Sequence, residues 1–182
     1  MYWFFNETQK NKENQKLCVN QISCWHDCKG EKKTEKTPKM SSVEINKFGM
    51  KIPCFLGCYS IIQLENVNIV KNNVGFIVIN ENHAISIYIT DTSIDIFDPF
   101  GKNNRKVFSP ICKFLKEHLP TKTLNFSAKI QAENSDLCAK FCLVFLKLRC
   151  EGFSFCEIIA NFSTQYSNND ATVIDLFNCL FS

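Results

Sequence analysis

The sequence predicts an α+β fold, and three observations predict it. Stretches rich in β-branched and aromatic residues crowd the middle of the chain, while helical apolar spacing appears on both sides of them. No internal repeat interrupts that order. The chain's 182 residues are enough for one domain with a real core, and 45% hydrophobic with 21% charged residues describe a folded globular chain. Seventeen phenylalanines supply much of the core material.

Residues 1–40 read as a polar, cysteine-containing extension, and residues 41–182 as the domain. KGEKKTEKTPK, Lys29–Lys39, is a lysine–glutamate run with a proline, the composition of a solvated linker. Serine caps then precede Val43, Ile45 and Phe48, which predicts a short helix ended by Gly49. IPCFLGCYSIIQL is a loop passing into a strand. VGFIVI (Val74–Ile79), HAISIYIT (His83–Thr90) and SIDIF (Ser93–Phe97) are strands, with Asn80, Asn82, Asp91 and Pro99 marking the breaks. Val107, Phe108, Ile111, Phe114 and Leu115 have helical spacing, and Pro110 places the start of that helix near Ser109. LNFSAKI (Leu124–Ile130) is a further strand. Asn134, Ser135 and Asp136 offer caps for LCAKFCLVFLKLR, a strongly apolar helix. Two more helices follow, Phe155–Phe162 and Ala171–Phe181, the second capped by Asp170.

Composition also excludes classes. A net charge of +3 is too small to argue for nucleic acid by itself, though it does not oppose it. The longest apolar run found, Phe141–Leu146, is far short of the ~20 residues of a membrane span. MYWFFNETQKNKENQ has no basic lead-in, so no secretory signal is expected. Eleven cysteines without one imply thiols in a reducing compartment, most of them small hydrophobes in the core. Cys18, Cys24, His26 and Cys28 could hold zinc, but Cys24, His26 and Cys28 are crowded and a decorated tail fits better. His118, near a helix end, reads as a structural residue facing the helix dipole.

One constellation stands out. If Asp91–Thr92 forms a two-residue turn, position 83 lies opposite 100 and position 85 opposite 98. His83 and Asp98 are then diagonal neighbours on one face, with Cβ atoms ~7–8 Å apart or less. A three-residue turn would send them to opposite faces. Cys138 sits in the first turn of its helix, where the macrodipole favours a thiolate. Thiol, imidazole and carboxylate together are what nucleophilic acyl transfer needs. Gln131, seven residues before the thiol, could donate its amide to an oxyanion beside the Cys138 backbone N–H.

The stretches PCFLGCY (53–59), NHAISIY (82–88) with DIFDPFG (95–101), and QAENSDLCAKFC (131–142) resemble the adenain-like family. These are the maturation proteases of adenoviruses and their relatives in other double-stranded DNA viruses and virophages. The likeness spans about residues 45–150. In that family an acidic-Pro-Phe-Gly motif follows the histidine strand, and a glutamine stands seven residues before the nucleophile. The sequence departs from the pattern at Ala84, where tryptophan is usual, and at Ala139, where glycine is usual. Asp98 replaces adenain's glutamate, as is usual in the wider superfamily that includes SUMO-deconjugating proteases.

The resemblance implies a papain-like cysteine protease fold in permuted order, with a mixed central sheet and the nucleophile at the start of a central helix. It implies His83 as base and acid, Asp98 as orienter, Cys138 as nucleophile and Gln131 as oxyanion donor. The implied reaction is cleavage of viral structural precursors at small or glycine-containing sites, in the virion and the infected cell. Capsid precursor polypeptides are the implied partners. No cofactor and no membrane are expected, and activation by a peptide or by DNA, as in adenain, stays open. The alternatives are cleavage of ubiquitin-like or SUMO-like conjugates and precursors, or a protease-like fold kept as a binding module.

Overall fold

The computed structural model describes residues 38–101 and 105–182. The run Lys29–Lys39 and the candidate zinc ligands Cys18, Cys24, His26 and Cys28 lie wholly or mostly outside them. Helix α1, Ser42–Gly49, starts where the sequence placed it. The Ser41 hydroxyl accepts from the Glu44 N–H at 3.3 Å, and the Glu44 carboxylate accepts from the Ser41 N–H at 2.8 Å, a reciprocal capping box. Strand β1 (Phe55–Ser60) and a 3₁₀ turn (Ile61–Asn66) follow, then β2 (Val74–Asn80), β3 (His83–Ile89) and β4 (Ser93–Phe97). The order continues with α2 (Arg105–His118), β5 (Thr123–Phe126), α3 (Cys138–Cys150), α4 (Phe155–Ala160) and α5 (Tyr166–Phe181).

The protein is α+β, with a mixed five-stranded sheet in the order β1-β2-β3-β4-β5. The β1–β2 and β4–β5 pairs are parallel, while the two hairpins between them are antiparallel. β2, β3 and β4 are buried over most of their length, which explains their near-continuous apolar runs. On one face Phe76, Val78, Ile85, Ile87 and Ile96 join Phe108, Ile111, Phe114 and Leu115 of α2. The other face carries α3, and Phe97 stacks on its Phe145 with centroids 4.4 Å apart. With nine of its thirteen residues buried, α3 is a core helix. Gly75 lets it come close: a Cβ there would lie 2.5 Å from Leu146 Cδ2 and 3.0 Å from the Ile87 carbonyl.

Several boundaries differ from the sequence reading, each for a tertiary reason. α2 begins at Arg105 and holds Pro110 inside it. Proline there loses one backbone bond, but Phe108 and Ile111, on either side of it, are buried and keep the helix continuous. β5 ends at Phe126 instead of Ile130, because the following backbone turns to bond elsewhere. The Ile130 and Gln131 N–H groups both donate to the Pro99 carbonyl at 2.9 Å. α4 stops at Ala160, two residues before Phe162. α5 begins at Tyr166, so Asp170 lies within it instead of capping it. The residues Asn134–Asp136 do not cap α3, whose N-cap is Leu137 with no side-chain bond. His118 is structural as expected: Nδ1 meets the Phe114 carbonyl at 2.9 Å and the ring lies over Phe114.

Candidate active site

The turn joining β3 to β4 decides the site. The ladder pairs Ile89 with Ile94 and Ser86 with Phe97, and the Thr90 N–H donates to the Ser93 carbonyl at 2.8 Å. Asp91 and Thr92 are therefore the two turn residues, as parity required. His83 opens β3 and Asp98 follows β4 at the same end of the sheet. His83 Nε2 lies 2.8 Å from Asp98 Oδ1, with side-chain exposures of 15% and 2%.

Asp98 is fixed before it meets the imidazole. Its N–H donates to Ser127 Oγ at 2.8 Å, and Ser127 Oγ donates back to its carbonyl at 2.8 Å. The Phe100 N–H donates to Asp98 Oδ1 at 2.8 Å, closing an Asx turn across Pro99. Gly101 completes the bend at φ 75°, where an added Cβ would meet the Lys129 backbone nitrogen at 2.9 Å. The acidic-Pro-Phe-Gly sequence thus has a local physical reason: it aims a carboxylate at residue 83.

Cys138 is the first residue of α3, and its thiol donates to the Asn82 carbonyl at 3.8 Å. That carbonyl belongs to the residue before His83, so thiol and imidazole share one corner. Burial pulls the His83 pKa down, but the hydrogen bond with Asp98 and the nearness of the Cys138 sulfur outweigh it and raise it to about 9. Nδ1 of the ring is buried and has no hydrogen-bond partner, so the thiol stands beside the imidazole without bonding it. One turn on, Cys142 donates to the Ala84 carbonyl at 3.3 Å, and burial pushes its pKa well up. The two cysteines of LCAKFC therefore differ: Cys142 is core filler and Cys138 faces an imidazole.

Gln131 is fully buried in the turn leading to Cys138. Its Nε2 donates to the Ser135 carbonyl at 2.8 Å and to Ser135 Oγ at 3.1 Å, while Oε1 has no partner. The structure thus brings His83, Asp98 and Cys138 together, and turns both amide hydrogens of Gln131 onto Ser135. The same turn is gripped from α5. Asn169 Nδ2 donates to the Ile130 carbonyl at 2.8 Å, and Asp170 lies near Ser135 and Ala132. Lys39 pairs with Asp136 at 3.3 Å across exposed surface. Ser127 and Asn169 escaped the sequence reading, and Ser135 and Asp170 entered it only as helix caps. No local signal could have found these roles, since each residue acts on a segment distant in the chain or through backbone groups.

Two openings flank His83. The larger, about 500 Å³, is lined by Asn80, Glu81, Asn82, Asp98, Phe100 and Gly101. The smaller, about 190 Å³, reaches Cys138 between Glu81, Asn82, Asp136 and the start of α1. Among the described residues no helix is long and apolar enough to cross a membrane.

No family model matches the sequence, and no curated protein does. Among solved structures, the chain is similar to the central domain of an uncharacterized protein from Legionella pneumophila. The TM-score is 0.52 at 12% identity, covering 79% of this chain and 99% of that one. At that identity the likeness bears on fold alone, and the fold it supports is α+β with helices around a mixed sheet.

Proposed function

We propose that the chain is a cysteine peptidase working by Cys-His-Asp acyl transfer, with a papain-like fold in permuted order of the adenain-like kind. The observation that carries this reading is an imidazole held by a buried carboxylate at 2.8 Å, in the same corner where the thiol that opens a core helix donates to the Asn82 carbonyl. His83 takes the Cys138 proton, and the sulfur attacks the scissile carbonyl carbon. The resulting imidazolium returns that proton to the leaving amine as the C–N bond breaks, leaving a thioester. Water, deprotonated by His83, then hydrolyses the thioester and restores the thiol. Asp98 accepts the hydrogen bond of the imidazolium throughout and remains a carboxylate.

The oxyanion faces the unpaired N–H groups of the first turn of α3. Gln131 joins them by releasing Ser135 when substrate enters, so its two hydrogen bonds to Ser135 mark a resting state. Gln131→Ala is expected to lower kcat about 10²–10³-fold, the usual effect of losing one such donor. Resemblance of the three motifs favours viral structural precursors as substrates, with capsid polypeptides as partners and peptide or DNA as possible activators.

The test is cleavage of capsid precursor and of ubiquitin-like precursors by the purified chain, alone and with DNA or candidate peptides. Cys138→Ala is expected to abolish all cleavage while keeping the fold by circular dichroism. Cleavage surviving in that variant would remove the mechanism. Cleavage of the ubiquitin-like precursors alone would move the substrate class. A second reading, a binding module without turnover, is favoured by the engagement of Gln131 with Ser135. It predicts that alkylating reagents label Cys138 no faster than the other thiols near neutral pH.

A further inference from the structure

Glu81 has a conformation and a position that the acyl-transfer residues do not explain. β2 and β3 pair Asn80 with His83, so Glu81 and Asn82 alone make the turn. Glu81 adopts φ 51°, the left-handed region where glycine, asparagine and aspartate are the usual residues. A strained backbone beside a reactive group is a pointer to function, and here the strain carries a long side chain with a charge at its end.

That side chain lines both openings that flank His83. Of the carboxylates there, Asp98 is bonded to His83 and Asp136 to Lys39. Glu81 has no hydrogen bond or ion pair among the described residues. Besides the His83–Asp98 pair, whose charges offset each other, the larger opening is lined by the neutral Asn80, Asn82 and Gly101 and by the Phe100 ring, 5.2 Å from the His83 ring. An acidic end beside an aromatic face matches a guanidinium or ammonium group.

The direction of the cleft follows from the chemistry. His83 protonates the leaving amine, so the amine side of the substrate runs past His83 toward Asp98 and Phe100, into the larger opening. We infer that Glu81 is a specificity-determining residue that selects a lysine or arginine side chain within about two residues after the scissile bond, the reach of an extended chain across the turn. This rests on the peptidase reading and adds to it a substrate class: polypeptides cut just before a basic residue.

The test is a synthetic peptide library with all residues varied around each bond, digested by the full chain and read by mass spectrometry. Wild-type cuts are expected to be enriched in Lys or Arg at the first two positions after the bond. For a matched pair differing only by Lys or Gln there, the kcat/KM ratio is expected to fall about tenfold in Glu81→Gln, the scale of one charge-assisted pair. In Glu81→Lys the preference should invert toward acidic peptides, which a merely structural turn residue would not produce. Glu81→Gly serves as the fold control, since glycine relieves the turn while also removing the carboxylate. Enrichment that is absent in the wild type, or unchanged in Glu81→Gln, overturns the inference and leaves the peptidase reading standing. Failure of the wild type to cut any member, with Cys138 also unreactive toward peptide vinyl sulfones, overturns both.

Discussion

The His83 ring is drawn two ways: burial disfavours its charge, while Asp98 and the Cys138 thiol favour it strongly enough to lift its pKa from 6.5 to about 9. A raised pKa in a histidine means that the folded state holds its proton more tightly than the unfolded chain. The stabilisation is fully present below pH 6.5 and is lost as pH rises through 9, a change of about 3 kcal/mol at most. Asp98→Asn removes the strongest raising partner, so the imidazole should titrate well below 9. An NMR titration of the ring, repeated in the variant, measures the difference, and an unchanged midpoint would show that Asp98 does not hold the proton. The pairing of these two residues was legible only on the condition of a two-residue turn between β3 and β4, since strand parity is strict but does not choose the turn length. The Ser135 contacts of Gln131 were not legible, since a spacing of seven places the residue near the thiol without saying where its amide points.

Elements show where local preference yields to packing. Pro110 argued for a helix starting near Ser109, yet α2 continues five residues upstream of it because Phe108 and Ile111 are buried. Pro110→Ala should restore the missing backbone bond and stabilise the protein by about 1–3 kcal/mol, read as a rise in Tm, since proline's cost in a helix interior is then removed. The opposite outcome is expected at Gly75, a position no periodicity singled out. Gly75→Ala drives a methyl into Leu146, which is fully buried and cannot swing away, at a cost of about 1–3 kcal/mol. Denaturant unfolding would register it, and a neutral result would mean that α3 can slide. Helix α1 and strands β2 to β4 were readable from caps and apolar runs. The start of α5 was not, because Asp170 resembles a cap while its neighbour Asn169 is held inside the helix by Ser163 and Ile130.

At the level of the whole molecule, one helix carries both the candidate nucleophile and much of the core. Phe141, Cys142, Leu143, Phe145 and Leu146 of α3 are buried, and Phe145 stacks on Phe97 in the middle of the sheet. Phe145→Ala should cost about 3–5 kcal/mol and slow any reaction at Cys138 only as far as it unfolds the protein. Comparing residual activity with folded fraction in denaturant tests that link, and activity lost well before structure would contradict it. The fold class was visible in the ordering of apolar runs, because sheets and helices bury their faces by different periods. The joining of β1 to β2 in parallel, and the covering of both sheet faces, depend on contacts between distant segments and left no mark in any short stretch.

Since most of α3 is buried, its amides should be among the slowest in the domain to exchange with solvent. The sulfur at its first turn therefore sits on one of the slowest-opening scaffolds in the molecule, while its partners on the turns at 81–82 and 98–101 lie at the sheet's rim. Deuterium uptake should separate these two tempos. Heat would be expected to quicken uptake at the rim first and at the strut that holds the thiol last.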